Sequence, residues 1–400
     1  MEINHINIEE IVKNVISNLN LPASSTGGNC NGSVPKQGRV AFLTALEKLE
    51  VKTFDIPEIN DDEVLVKVEG CGVCGTDLHE YKNDPFGLIP VVLGHEGTGE
   101  VIKLGKNITK DLLGKPLKVG DKVITSVTIT GSDVFTTLHP EKANLSDNSA
   151  VYGLLPDDDF TFNGWFGEYI ILRRGTSIFN VSDMTLEQRL LVEPSAVAIH
   201  AVERAKTTNL LSFDSKVLVQ GCGPIGLCTI AVLRTMGIQN IIAVDGDAQR
   251  LEFVKEMGAD TTINFKDFTS FDGQLKHIIE MTNGGVDFAF QCTGVPSAAS
   301  NIFKFIRRGG GLCEVGFFVD NGDATFNPHW DLCQKEITLV GSWVYTFKDY
   351  VTTLDYIKRA TAIGLPIEKL ITHRFGLDQL NEAMGVNMRL EGIKVAYINE

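Results

Sequence analysis

Residues 216–226 read KVLVQGCGPIG: a short apolar run, then three glycines spaced G-x-G-x-x-G, with an apolar helical stretch following through Leu233. In such a loop Gly221 makes the tight turn out of the strand and Gly223 lets the backbone approach a pyrophosphate. Gly226 permits close contact between helix and strand. The phosphates would rest at the helix amino terminus, where unpaired N–H groups and the helix dipole favour an anion. The next apolar run, NIIAVD, ends at Asp245, and a carboxylate about 20 residues past the loop is placed to accept from a ribose 2′-hydroxyl. Asp245 and Asp247 together would repel a 2′-phosphate, which points to NAD(H) over NADP(H). The plain alternative is a glycine-rich turn of some other α/β protein. That reading does not account for strand, loop, helix, strand and acid in one register. The candidate cofactor residues are Gly221, Gly223, Pro224, Ile225, Gly226, Asp245 and, in the helix beyond, Arg250.

Outward from the loop, RLEFVKEMG and VDFAFQCTG continue the alternation of helical and short apolar segments. That alternation predicts a parallel, doubly wound sheet over residues 194–342. Upstream, from Arg39, the texture is strand-like: VLVKVEG (64–70) alternates and ends at a glycine, and EVIKLG and DKVITSVTI follow in the same style. Residues 130–165 are a polar insertion rich in Asp, Asn and Gly, and 345–400 mix helix and strand. The expected fold class is α/β: a Rossmann domain over 194–342 beside a β-rich domain built from 39–193 and 343–400.

The amino terminus has a different character. Ile8, Ile11, Val12, Val15, Ile16 and Leu19 fall at steps of three and one, the apolar stripe of an amphipathic helix within residues 1–20. Asn7 can cap it, Glu10 completes a capping box, and Pro22 stops it. Residues 21–38 have the Gly, Ser and Asn content of a flexible linker.

Composition narrows the function. The chain has 400 residues, 43% apolar and 22% charged, which excludes a disordered or collagen-like protein. A net charge of −15 argues against a nucleic-acid backbone as partner and for a small molecule. The longest uncharged apolar stretch, between Lys216 and Arg234, is broken by Gly221, Gly223, Pro224 and Gly226, so no membrane span is expected. Glu2, Glu9 and Glu10 all precede Lys13, the first Lys or Arg, which is the wrong charge for a presequence. Eight cysteines are too few for a disulfide scaffold and suit a reducing cytosol.

Cys71, Cys74, His79, His95 and Glu96 crowd into one short segment. Cys71-x-x-Cys74 alone would suggest a zinc ribbon or a redox pair, but the chain has no second C-x-x-C. A thiolate, an imidazole and a carboxylate suit zinc, and a catalytic site keeps one position open for water or substrate. The segments Cys74-Gly-Thr-Asp-Leu-His79 and Gly94-His95-Glu96-x-x-Gly99 resemble the zinc-containing medium-chain alcohol dehydrogenase family, in particular its polyol, butanediol and threonine dehydrogenase branch. Leu191-Val-Glu193-Pro-Ser, Gly164-Trp-Phe-Gly-Glu168-Tyr169 and Lys335-Glu-Ile-Thr-Leu-Val-Gly-Ser342 extend the resemblance over residues 39–400.

The resemblance implies a GroES-like fold for the β-rich domain and one catalytic zinc held by Cys74, His95 and Glu193 or Glu96, two glutamates that can trade places in that family. Thr76 would contact the alcohol oxygen, His79 would exchange the proton with solvent, and Lys394 would contact the cofactor phosphates. Cys71 and His200 are expected to be packed side chains rather than ligands. The family commonly has four clustered cysteines for a second, structural zinc, whereas this chain has no cysteine between Cys74 and Cys222. No structural zinc is expected. The implied reaction is reversible hydride transfer between NAD(H) and an alcohol and its aldehyde or ketone, in a dimer or tetramer. The runner-up is a cytosolic secondary-alcohol, polyol or sugar dehydrogenase. From a different class comes an inactive nucleotide-binding scaffold, which the presence of Cys74, Thr76 and His95 opposes. Residues 1–20 resemble the encapsulation peptides of bacterial microcompartment enzymes, which implies a shell or core protein as a partner and NAD⁺ recycling within the shell.

Overall fold

The computed structural model describes residues 34–129, 133–155 and 161–399; the helix expected within 1–20 and most of the linker lie outside these. The strand that leads into the glycine loop and five strands after it form one sheet. Numbered within that sheet they are β1 (Lys216–Gln220), β2 (Asn240–Asp245), β3 (Thr261–Asn264), β4 (Val286–Gln291), β5 (Ile306–Glu314) and β6 (Thr338–Gly341). Their spatial order is β3-β2-β1-β4-β5-β6, all parallel. This is the doubly wound order, with the dinucleotide crevice between β1 and β4. The apolar runs are continuous because both faces are covered. Val217, Val219, Ile241 and Ala243 enter one core, while the intervening Leu218, Ile242 and Val244 enter another. The helix Pro224–Thr235 serves the first core through Ile230 and Leu233, and the helices Phe271–Thr282 and Pro296–Phe305 serve the second through Ile278 and Ile302.

The remaining strands build the β-rich part. Val64–Gly72 pairs antiparallel with Glu96–Leu104 on one side and with Lys394–Ile398 on the other, and Glu96–Leu104 pairs onward with Lys122–Ile129. The register sets Gly72 opposite both Glu96 and Ala396. Three distant segments thereby meet two residues before Cys74. The segment Gly164-Trp-Phe packs directly onto this region. A Cβ at Gly97 would fall 1.9 Å from the Trp165 ring, and one at Gly94 would fall 2.8 Å from Phe166. That motif is therefore packing, which holds the backbone around His95 in place.

Two expectations change. The strand Gln37–Ala45 begins inside the expected linker. Gly38 reads as linker glycine, but it lies in the strand beneath Tyr169, whose ring would stand 2.7 Å from any Cβ there. The expected boundary at residues 193/194 falls inside the helix Val192–Lys206, which packs into the same core as β1 and β2. Of the 130–165 insertion, the described part holds a short helix, Val134–Leu138, and the strand Ala150–Val151. Among the described residues no helix is long and apolar enough to cross a membrane.

Candidate metal and dinucleotide site

Cys74 is the N-cap of the helix Gly75–Asn83, and Asp77 three residues on folds back so that its carboxylate accepts from the Cys74 N–H at 2.8 Å. The other oxygen of Asp77 accepts from Gly94 N–H at 3.1 Å and stands 3.4 Å from His95 Nδ1. One buried carboxylate thus fixes the cysteine loop and the histidine loop relative to each other. The donor atoms of Cys74, His95 and Glu96 all lie within 4.8 Å of one another. One thiol, one imidazole and one carboxylate at that spacing, two of the three side chains buried, match what zinc takes. A carboxylate behind the imidazole is the usual means of fixing a ligand histidine. The residues present fit the metal.

The cluster opens onto a cavity of about 400 Å³ that Thr76, His79, Glu193, Ile225, Ser342 and Tyr345 also line. Thr76 Oγ1 lies 3.7 Å from the Cys74 sulfur. His79 sits three residues further along the same helix, and burial, with a smaller contribution from Lys82, holds its imidazole below the ordinary value. Of the two glutamates left open by the sequence, Glu96 stands in the donor cluster. Glu193 lines the cavity but accepts from the Tyr345 hydroxyl at 2.5 Å, and burial and the charge of Glu96 push its carboxyl up.

The glycine loop, whose Ile225 also lines the cavity, behaves as its glycines predict. Gly221 has φ +95°. A Cβ at Gly226 would lie 1.8 Å from the Gly221 carbonyl oxygen, whereas one at Gly223 would meet nothing within 4 Å. The open face at Gly223 is where a phosphate can approach. Asp245 accepts from Cys222 N–H at 2.6 Å, Gly246 N–H at 2.7 Å and Asp247 N–H at 2.9 Å, so its charge is pinned beside the loop. A second cavity of about 350 Å³ lies here, lined by Gly221, Asp245, Phe265, Phe271 and Thr293. Asp247 caps the following helix, accepting from Gln249 N–H and Arg250 N–H. Arg250 turns its guanidinium to the Leu390 carbonyl at 3.3 Å.

Comparison with known proteins decides the lineage. Residues 60–183 match the family described as alcohol dehydrogenase GroES-like domain, and residues 224–359 match the family described as zinc-binding dehydrogenase. The sorbitol dehydrogenase of Bacillus subtilis is 31% identical over 362 residues, covering 88% of this chain and 94% of that protein. The (R,R)-butanediol dehydrogenase of the same organism is 31% identical over 348 residues, 84% of this chain and 91% of that one. The crystal structure of an alcohol dehydrogenase from Thermotoga maritima superposes with a TM-score of 0.84 at 30% identity, covering 91% of this chain and all of that one. The chain belongs to the zinc-binding alcohol dehydrogenase family.

Within this dehydrogenase one expected contact is displaced. Lys394 does not present a free cation to the phosphate loop. Its ammonium is buried, ion-paired with Glu96, and also donates to the Val73 carbonyl at 3.2 Å. The cause is register: Lys394 opens the strand beside Val64–Gly72, and its side chain crosses Gly72, where a Cβ would stand 1.9 Å from Glu96 Oε2 and 2.8 Å from Lys394 Cε. Burial alone would lower this ammonium's pKa, but Glu96 foremost, then Cys74, outweigh it and hold it above the lysine value.

The dehydrogenase's other expected bystanders are packed. Cys71 is fully buried, its thiol donating to the Gly72 carbonyl and pushed up by burial. His200 pairs with Asp349 at 3.0 Å. Lys335 of the motif shared with the family donates to the carbonyls of Phe303 and Ile306, both at 2.9 Å, tying the end of a helix to β5. Sequence reasoning missed Asp77 and Tyr345. Asp77 was findable, since an acid three residues after an N-cap is a capping signal. Tyr345 carried no local signal, being 152 positions from Glu193.

Proposed function

We propose that this dehydrogenase transfers hydride reversibly between NAD(H) and an alcohol and its aldehyde or ketone, with one zinc held by Cys74, His95 and Glu96 and with Glu193 beside it. The supporting observation is the 400 Å³ cavity, which the three donors and Ile225 of the glycine loop line together. Zinc, when bound, supplies a Lewis acid that lowers the pKa of a substrate hydroxyl. The protein supplies the rest. Thr76 sits beside Cys74, where its hydroxyl can accept a hydrogen bond from the substrate hydroxyl and pass its own proton on through the nicotinamide ribose. His79, also lining the cavity, has an imidazole with a lowered pKa that hands the proton to water. The phenol of Tyr345 orients Glu193. The two cavities flanking Gly221–Gly226 offer one compartment for each half of a dinucleotide. The pinned carboxylate of Asp245 favours a ribose hydroxyl over a phosphate and so NAD(H) over NADP(H). NADH consumption with a panel of aldehydes and ketones, with and without a zinc chelator, tests the reading. Activity that ignores the chelator, or equal kcat/KM with NADPH, would overturn it.

We further propose a cytoplasmic homo-oligomer, dimer or tetramer. The edge strand β6 supports association, since among the described residues no strand pairs with its outer side and Leu339 is exposed. Light scattering that returns a single-chain mass would count against it. Residues 1–20 we take as a targeting helix for a microcompartment shell or core protein, where aldehyde reduction would return NAD⁺ within the shell. The apolar stripe Ile8, Ile11, Val12, Val15, Ile16 and Leu19 is the support. Residues 1–38 fused to a fluorescent protein should form puncta in a compartment-forming cell. Diffuse fluorescence, unchanged by Ile11→Asp with Val15→Asp, would end this proposal.

A further inference from the structure

Four branched side chains give the lining of the catalytic cavity a hydrocarbon stretch. Val127 comes from the strand Lys122–Ile129, Val151 from the short strand paired with it at Thr128, and Leu154 from the turn whose N–H donates to the Val151 carbonyl. Val344 adds a fourth branched side chain. Among the described residues no Lys, Arg, Asp or Gln lines this cavity. The polar groups of the lining come from other segments. Thr76 and His79 flank the donor cluster, and the Tyr345 hydroxyl is committed to Glu193. Ser342 and Asn321 line the cavity from segments of the nucleotide part: Ser342 N–H donates to the Glu314 carbonyl at the end of β5 while its hydroxyl has no partner among the described residues, and Asn321 Nδ2 lies against Gly294.

Val344 is itself unusual. Its φ is +52°, the left-handed region that β-branched residues avoid most strongly. Both neighbours are pinned. The Trp343 ring stacks on Phe318 with centroids 4.7 Å apart, its carbonyl accepts from Asn144 at 2.6 Å, and Tyr345 is held by Glu193. A strained conformation persists when its surroundings over-determine it, and such residues gather where a site needs them. Gly would sit there without strain and Asn with less, so Val344 places a branched hydrocarbon where the backbone favours neither of its β-substituents.

We infer that the substrate of this dehydrogenase carries one hydroxyl or carbonyl on an aliphatic chain, not a hydroxyl on every carbon, and that Val344 is a specificity-determining residue for that choice. The inference rests on the dehydrogenase reading above. A hydroxyl laid against Val127, Val151, Leu154 and Val344 loses its water and gains no partner from them. Each such group costs about tenfold or more in kcat/KM, whereas each methylene buried there gains about fourfold in affinity.

The test uses the zinc-loaded full chain with three four-carbon substrates: a secondary butanol, a vicinal butanediol and erythritol. Expected kcat/KM falls about tenfold or more at each step of added hydroxyls. In parallel, straight-chain amides from acetamide to hexanamide, which cannot accept hydride, are titrated into the enzyme–NADH complex by fluorescence. Binding should tighten about fourfold per methylene. Val344→Asn should leave thermal stability equal or higher, since asparagine tolerates this backbone. It should weaken the amide series and shrink the butanol-to-erythritol ratio. Erythritol matching butanol, a flat amide series, or a Val344→Asn enzyme with unchanged ratios would overturn the inference. If no substrate turns over, the dehydrogenase reading fails, and the amide series still decides the nature of the wall.

Discussion

Replacing Lys394 with methionine separates two roles for this buried cation, pairing with Glu96 and contacting the cofactor phosphates. Lys394 and Glu96 are 4% and 2% exposed, so neither charge is compensated by solvent. Methionine keeps most of the aliphatic volume, so the packing loss is small. What is lost is the positive charge, and removing one partner of a buried pair costs about 3–5 kcal/mol because the other charge is left unpaired. Zinc beside Glu96 restores positive charge at the same carboxylate. The destabilisation should therefore be about 3–5 kcal/mol in chelator and about 1 kcal/mol or less with zinc bound. Urea unfolding read by tryptophan fluorescence measures both, since Trp165 is buried over Gly97 in the same part of the fold. NADH affinity provides the second reading. A lysine on the cofactor phosphates would carry a charge-assisted hydrogen bond of about 1.5–3 kcal/mol, so its loss would weaken NADH by more than about tenfold. A lysine devoted to Glu96 leaves NADH affinity within about threefold. Equal destabilisation with and without zinc, or a tenfold loss of NADH affinity with stability unchanged, would refute the reasoning.

Cys74→Ala should release zinc and abolish turnover while NADH still binds, because donors and glycine loop belong to different sheets. The parent should analyse at one zinc per chain, and two tightly held zincs would contradict the single cluster found among the described residues. Gly72→Ala places a methyl where Glu96 Oε2 now stands, 1.9 Å away, so zinc affinity should fall at least about tenfold with little change in circular dichroism; unchanged zinc affinity would show that the pair moves aside freely. Burial would raise the Asp349 carboxyl, but His200 and the Thr346 N–H outweigh it and hold it below the usual value. Its contribution to stability is thus complete above about pH 4 and lost as pH falls through the lower folded value. Asp349→Asn should flatten the acid limb of the stability profile, and an unchanged limb would remove Asp349 from it.

The sequence by itself determined the parallel sheet and the loop that opens it. Strands covered on both faces must be continuously apolar, and a turn of this tightness must be glycine, so both leave marks within about 30 consecutive residues. It also brought forward Cys74 and His95 as donors, and through its resemblance to a family it offered two glutamates without choosing between them. Only the tertiary structure separated Glu96, among the donors, from Glu193, held by Tyr345. It moved Lys394 from the phosphates to Glu96, and it turned Gly38 from a linker residue into a strand residue beneath Tyr169. Each of these depends on the register of strands and loops far apart in the chain. A side chain's charge partner is set by which residues lie opposite in space, and no local pattern of residue types records that distance.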